Sequence, residues 1–190
     1  MGVIGLGVGT LASYGQAGDD IRFFEINPDV EYLARKYFTY LKDTPAETDV
    51  AIGDGRLLLE EEEQKDADSY DILVLDAFSD DAIPVHVITK EAFMVYKSRL
   101  KKNGIIVANI SNSYLDLTPV IKQLAIHHEM EYAIISENGD TAQNLAPSLW
   151  AILTTDKSFL NDTAFNEKRI PNSEIKDLKL WTDSYSNLFN

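Results

Sequence analysis

The stretch "MGVIGLGVGTLASYG" (1–15) sets the reading of the whole chain. A short apolar run, "GVIGLG", ends in glycines, and "TLASYGQ" can start a helix directly after it. Strand, glycine turn and helix in that order let a backbone approach a phosphate or nucleoside closely, because glycine tolerates the sharp turn. The run Gly5-Leu6-Gly7-Val8-Gly9 departs from the dinucleotide pattern G-x-G-x-x-G, since the third glycine comes one residue early and Thr10 follows. That spacing suits a nucleoside cofactor without a pyrophosphate better than a dinucleotide. A tight strand–helix turn with no ligand is the competing reading.

Working outward, strands and helices alternate. "IRFFEI" (21–26), "DVAIGD" (49–54), "YDILVLDAF" (70–78) and "GIIVANIS" (104–111) read as strands. Helices are expected over 28–41, with Pro28 in the first turn, across "GRLLLEEEEQK", over 89–102 with Thr89 as N-cap, and over 117–129. Asn103-Gly104 should stop the third of these, leaving "RLKK" (99–102) as its solvated end. "EYAIISEN" and "SLWAILTT" (148–155) form a closing pair of strands. Alternation of this kind predicts an α/β fold with a mostly parallel sheet covered by helices on both faces. Residues 1–156 make one catalytic domain in this reading, and the polar tail 157–190 docks back through the aromatics of "LKLWTDSYSNLF".

Composition narrows the function. The 190 residues suffice for one domain with a sizeable core. With 17 Lys+Arg against 31 Asp+Glu the net charge is −14, which disfavours nucleic acid and favours cationic or neutral small partners. Cysteine is absent, which excludes disulfides, Cys-ligated zinc and Cys nucleophiles. No signal peptide opens the chain and no apolar run approaches the roughly 18 residues of a membrane span, so the expectation is a cytoplasmic domain with no membrane contact.

Ligands on such sheets bind at the carboxyl ends of the strands, and those residues carry the chemistry here. Glu25 ends the second strand, 16 to 20 residues past the glycines, where a carboxylate can take both ribose hydroxyl protons. Gly53-Asp54-Gly55 ends the third, and Asp54 fits either an acceptor for an adenine amino group or an N-cap for the next helix. Asp76 ends the fourth, with Asp80 and Asp81 just beyond. Three acids in six residues repel unless they meet a cation or share a proton, so one as general base and another holding an ammonium explains the cluster. Capping aspartates or a divalent metal are the alternatives, although no histidine has ligand spacing. His86 either faces this pocket or lies on the surface. His127, His128 and the run Glu60 to Glu63 read as structural or solvated, and Tyr32, Tyr37, Phe38 and Tyr40 as core packing.

Together "VIGLGVGT", "FFEIN", "IGDGR", "VLDAFSDDAIP" and "WTDSYSNL" resemble the spermidine synthase-like (polyamine aminopropyltransferase) family, nearest to bacterial members fused to transporter-like membrane segments. The resemblance covers nearly the whole chain. It implies a class I methyltransferase-like Rossmann fold with a seven-stranded sheet. The co-substrate implied is S-adenosylmethionine or its decarboxylated form, with no tightly bound cofactor and no metal. The partner implied is a small-molecule polyamine or other amine, and a homodimer is left open. By position, Gly5, Gly7, Gly9, Glu25, Gly53 and Asp54 match cofactor-binding residues. Asp76 matches the acid that deprotonates the attacking amine, and Asp80 approximates the one that steadies the diamine. Departures from the pattern concentrate on the amine side. Val8 stands for an Asp of the usual glycine loop, the acidic motif is one residue longer, and Asp81 replaces its Pro. "QNLAPS" (143–148) occupies the place of a P-T-Y-P segment, the small N-terminal strand domain is missing, and the first strand reads as cut short. Two further readings stay open: a small-molecule methyltransferase, and a non-catalytic nucleoside-binding remnant.

Overall fold

Apolar runs that cannot be satisfied on one face alone become the centre of a sheet. The computed structural model of the chain describes residues 1–65, 69–77, 84–165 and 168–188. In chain order the strands are β1 (Gly2–Ile4), β2 (Asp20–Glu25), β3 (Glu47–Ile52), β4 (Tyr70–Leu75), β5 (Leu100–Asn109), β6 (Glu131–Glu137), β7 (Ser148–Thr154) and β8 (Arg169–Ile170). They form one sheet in the order β3-β2-β1-β4-β5-β7-β6-β8. The pairs from β3 across to β5 are parallel, whereas β7 runs antiparallel to both β5 and β6. The seven expected strands are therefore joined by an eighth, the two-residue β8 paired antiparallel to β6.

Among the described residues five α-helices accompany the sheet: α1 (Pro28–Tyr37), α2 (Tyr40–Asp43), α3 (Gly55–Gln64), α4 (Lys90–Ser98) and α5 (Thr118–His127). Leu73, Leu75 and Phe24 face a core shared with Leu59 of α3, Phe93 and Tyr96 of α4, and Ile121 and Leu124 of α5. Their strand neighbours Val74, Val3 and Phe23 point the other way, onto Ala34 of α1 and Ala12. That alternation of buried residues on both faces is what the continuous apolar runs required. Among the described residues no helix is long and apolar enough to cross a membrane.

Several local expectations are corrected. After the glycine turn there is no α-helix but a five-residue 3-10 turn, Thr10–Tyr14. Gly15 ends it, packed so tightly that an added Cβ would lie 2.6 Å from Ala46. The helix expected over 28–41 breaks where Phe38 is extended, and Tyr32, Tyr37, Phe38 and Tyr40 are exposed rather than core residues. The α4 helix stops at Ser98, and Leu100 to Lys102 already belong to β5. Asn103-Gly104 thus lies inside a strand, where Asn103 at φ 64° accompanies a register shift against β4. Arg99 is buried, not solvated, and stands 3.6 Å from Glu62. Glu62 in turn is withdrawn from solvent, bonded to Arg22 and to the Tyr70 hydroxyl, so the run Glu60 to Glu63 is not a uniformly solvated face.

The tail packs on the face carrying α3 and α4. Trp181 is buried in the larger core, its carbonyl accepts from Lys90 N–H at 3.0 Å, and its indole N–H donates to the Asn187 carbonyl. Asp183 receives both Nη1 and Nη2 of Arg56 at 2.8 Å and the Thr89 hydroxyl at 2.7 Å, while its own N–H donates to Glu91. If residues 157–190 are integral to the fold, Trp181→Ala should cost about 3–5 kcal/mol in urea unfolding. The Arg56 guanidinium holds the Asp183 carboxyl down at about 2, against about 3.9 for a free Asp. A depressed carboxylate pKa stabilises the fold fully above the unfolded value and loses that contribution as pH falls through the folded one. Asp183→Asn should therefore lower Tm at pH 7, with the gap to the parent chain narrowing as pH is taken from about 4 toward 2.

Candidate functional site

Three backbone hydrogen bonds tie the carboxyl ends of four strands into one edge. Asp76 N–H donates to the Ile4 carbonyl, Gly5 N–H to Phe24, and Gly53 N–H to Glu25, each at 2.8 Å. Parallel register makes this possible, since Ile4 lies opposite both Phe24 and Leu75, and Glu25 opposite Ile52. The residues predicted from the strand ends, Gly5, Gly7, Gly9, Glu25, Gly53, Asp54 and Asp76, consequently share that edge. Asp80 and Asp81 lie outside the described residues.

The loop Gly5 to Gly9 has positive φ at all three glycines, 100°, 54° and 85°. Gly5 is required by close approach as well: a Cβ there would sit 2.3 Å from the Asp76 carbonyl oxygen. At Gly7 an added Cβ would meet no described atom within 4 Å. Glu25 is nearly buried beneath it. Its Oε2 accepts Leu6 N–H at 3.0 Å and its Oε1 accepts Asn27 N–H at 2.9 Å. An ionised carboxylate has about four acceptor positions, so two are used by backbone and the others can still take hydroxyl donors. Around it the apolar Ile26 and Ile52 are exposed, an arrangement that can border a flat ring.

Asp54 is the N-cap of α3, its Oδ1 accepting Arg56 N–H at 3.0 Å and Leu57 N–H at 3.2 Å. Its Oδ2 lies 3.0 Å from His86 Nε2. Asp54, Arg56, Leu57, Glu60, His86 and Asp183 border a cavity of about 630 Å3, completed by Val85 and Thr89. Asp76 is half-buried, and its Oδ1 accepts the Asn109 side-chain amide at 2.9 Å. Among the described residues no group of His, Asp and Glu is arranged to hold a metal. A second cavity, of about 950 Å3, lies at the opposite, amino-terminal edge and includes Met1, Asp20, Asp49 and Asp71. Ion pairs there, Arg22 to Asp49 and Lys101 to Asp71, already balance part of its charge.

Sequence reasoning missed three residues at this edge. Asn109 ends β5, so the strand-end rule that singled out the acids would have found it. Arg56 and Asp183 stood inside quoted motifs, but their pairing spans 127 positions and has no local signature. His86, for which the sequence offers either pocket or surface, is half exposed and faces Asp54.

No protein-family model matches the chain. Over 112 residues it is 36% identical to the polyamine aminopropyltransferase of Vibrio vulnificus (strain CMCP6), covering 56% of this chain and 36% of that protein. A probable polyamine aminopropyl transferase of Bifidobacterium longum (strain NCC 2705) is 31% identical over 114 residues, or 57% of this chain and 23% of the relative. The chain thus spans well under half the length of either relative. Among solved structures, spermidine synthase from Thermotoga maritima superposes with a TM-score of 0.61 at 17% identity, covering 93% of this chain and 61% of that one. A spermidine synthase in complex with the transition state analogue AdoDATO gives 0.57 at 17% identity, over 93% of this chain and 60% of that one. Human methyltransferase-like protein 13 in complex with SAH gives 0.58 at 18% identity, over 80% and 69%. Sheet order and helix placement are those of the Rossmann-like fold that spermidine synthases and methyltransferases share, and in sequence the chain is a homologue of polyamine aminopropyltransferases.

Proposed function

We propose that the chain carries the nucleoside-binding and base-bearing part of a spermidine synthase-like aminopropyltransferase of polyamine biosynthesis. The observation behind this reading is the single edge on which Glu25, Asp54 and Asp76 end three of four neighbouring strands, beside a glycine loop whose crest meets no described atom. The homologues named polyamine aminopropyltransferase point the same way. In this reading Glu25 grips the ribose hydroxyls with the acceptor positions its backbone bonds leave over. Asp54 Oδ2 takes the amino group of the adenine, and Ile26, Ile52 and Leu57, all exposed, border the ring. Gly5, Gly7, Gly9 and Gly53 shape the backbone around the ligand.

Asp76 is the proposed base, oriented by Asn109, and Asp80 the acid proposed to hold a distal ammonium of the amine. A polyamine is protonated at neutral pH and cannot attack carbon until it loses a proton. Asp76 takes that proton, the freed nitrogen lone pair forms the C–N bond, and the C–S electrons return to sulfur as a neutral thioether. With decarboxylated S-adenosylmethionine as donor, the products are the aminopropylated amine and methylthioadenosine. Because the sulfonium is already a good leaving group, positioning supplies most of the remaining acceleration. A methyltransferase reading shares the nucleoside half and is favoured by the SAH-bearing structural neighbour.

Calorimetric titration with methylthioadenosine, S-adenosylmethionine and decarboxylated S-adenosylmethionine separates these. Preference for the decarboxylated form is expected; preference for the carboxylated form would turn the assignment to methyl transfer, and no binding would remove it. Glu25→Gln should weaken methylthioadenosine binding by about 1–3 kcal/mol in protein that circular dichroism shows to be folded. Asp76→Asn should reduce aminopropyl transfer by about 100-fold or more while nucleoside affinity stays within a few fold. Turnover that survives this change would take the base role from Asp76.

A further inference from the structure

Asp54 has one oxygen committed to the helix and one facing outward, and the outward one is occupied. The His86 imidazole sits 3.0 Å from Oδ2, on a 3-10 turn (Val85–Val87) whose position is fixed independently of the ring. Arg56 Nη1 donates to the His86 carbonyl at 3.0 Å, and Arg56 is itself clamped by Asp183 and by Glu60 at 3.1 Å. The backbone at 86 is therefore pinned while the ring, half exposed, is held at its tip by Asp54 alone among the contacts described. A side-chain rotation would release Oδ2 without moving the turn.

We infer that His86 competes with the nucleobase for Asp54 Oδ2, so that ligand binding is coupled to displacement of this ring and to its protonation. The inference rests on the nucleoside reading of the site and deepens it. Among the described residues the charged groups facing His86 are Asp54, Arg56 and Glu60 on α3 and Asp183 on the tail. Arg56 already neutralises Asp183 through two bonds and pairs with Glu60, which leaves Asp54 as the direct partner of the ring. A neutral imidazole gives Asp54 one ordinary hydrogen bond, whereas an imidazolium forms a charge-assisted pair about twice as strong. Protonation of the ring thus strengthens the competitor and weakens the ligand. The bound ligand, by linkage, lowers the proton affinity of the displaced ring.

The test is calorimetry with methylthioadenosine on the full chain between pH 5.5 and 8, for the parent protein, His86→Ala and His86→Gln. The parent Kd should rise about three- to tenfold from pH 7.5 to 5.5. His86→Ala should bind more tightly than the parent at pH 5.5 and vary less than about twofold across the range. His86→Gln, which keeps a donor toward Asp54 but cannot titrate, should also lose the pH slope, without binding more tightly than His86→Ala. Should His86→Ala bind more weakly than the parent at pH 5.5, or keep its slope, the competition is overturned while the nucleoside reading stands. Absence of binding by all three at every pH removes the nucleoside reading and the competition with it.

Discussion

Glu25 joins the glycine loop to the rest of the strand edge. Its carboxylate is almost removed from solvent, and a lone buried charge of that kind is costly unless donors meet it. Two backbone N–H groups do so, Leu6 from the loop and Asn27 from the cap of α1, and each was itself in need of an acceptor. The bonds lock the conformation in which three glycines stand at positive φ, a conformation that no helix behind them enforces, because only a 3-10 turn follows. Loop, buried acid and helix entry are thereby one unit. A dipole from a long helix is not what would recognise a ligand here; local N–H groups and carboxylates are.

That feature also explains what could be read from the sequence. A strand is legible because burial on both faces leaves a run such as Ile72 to Leu75 with no polar interruption, and its end is legible because the first carboxylate after it must reach water or a ligand. That rule singles out Glu25, Asp54 and Asp76, and the strand order puts all three on one edge. Among the aromatics of the tail, Trp181 is buried. Failures came where a residue's environment is set by chain far away. Arg99 and Glu62 look like surface charges in sequence, yet they meet each other and Tyr70 beneath the sheet's amino edge. The aromatics of α1 and α2 look like a core stripe, and the fold leaves them exposed because Ala34 alone of α1 is buried. Periodicity records that a helix has a face; it does not record whether anything in this chain covers that face.

Arg56 links the tail to the site. Its guanidinium meets Asp183, Glu60 and the His86 carbonyl, and the Asp183 pair raises its already high proton affinity further. Each of these partners belongs to a different segment, so the side chain fixes the relative position of α3, the turn before α4 and residue 183. Lysine could supply the charge but not the planar fork that binds a carboxylate through two nitrogens and still reaches a carbonyl. The tail is in that sense a wall of the Asp54 cavity, and not simply a terminal appendage.

The acidic character of the edge bears on which transfer it could promote. In the proposed reaction both reactants are cations: a sulfonium donor and an amine that keeps at least one ammonium after giving up a proton. Bringing two positive charges within bonding distance is opposed by Coulomb repulsion, which grows as water is excluded and the local dielectric falls. Carboxylates placed between and around them offset that repulsion, and the chain's net charge of −14 draws both partners toward it over the distance that salt leaves unscreened, about 8 Å at physiological ionic strength. A methyl acceptor that is neutral in its ground state has no such difficulty and gains nothing from a second acid. In the proposed reaction the acid at the end of β4, bonded to the Asn109 amide, is one such carboxylate. Within the proposed reaction, electrostatics thus favours an amine as the second substrate, on grounds separate from the likeness to any relative.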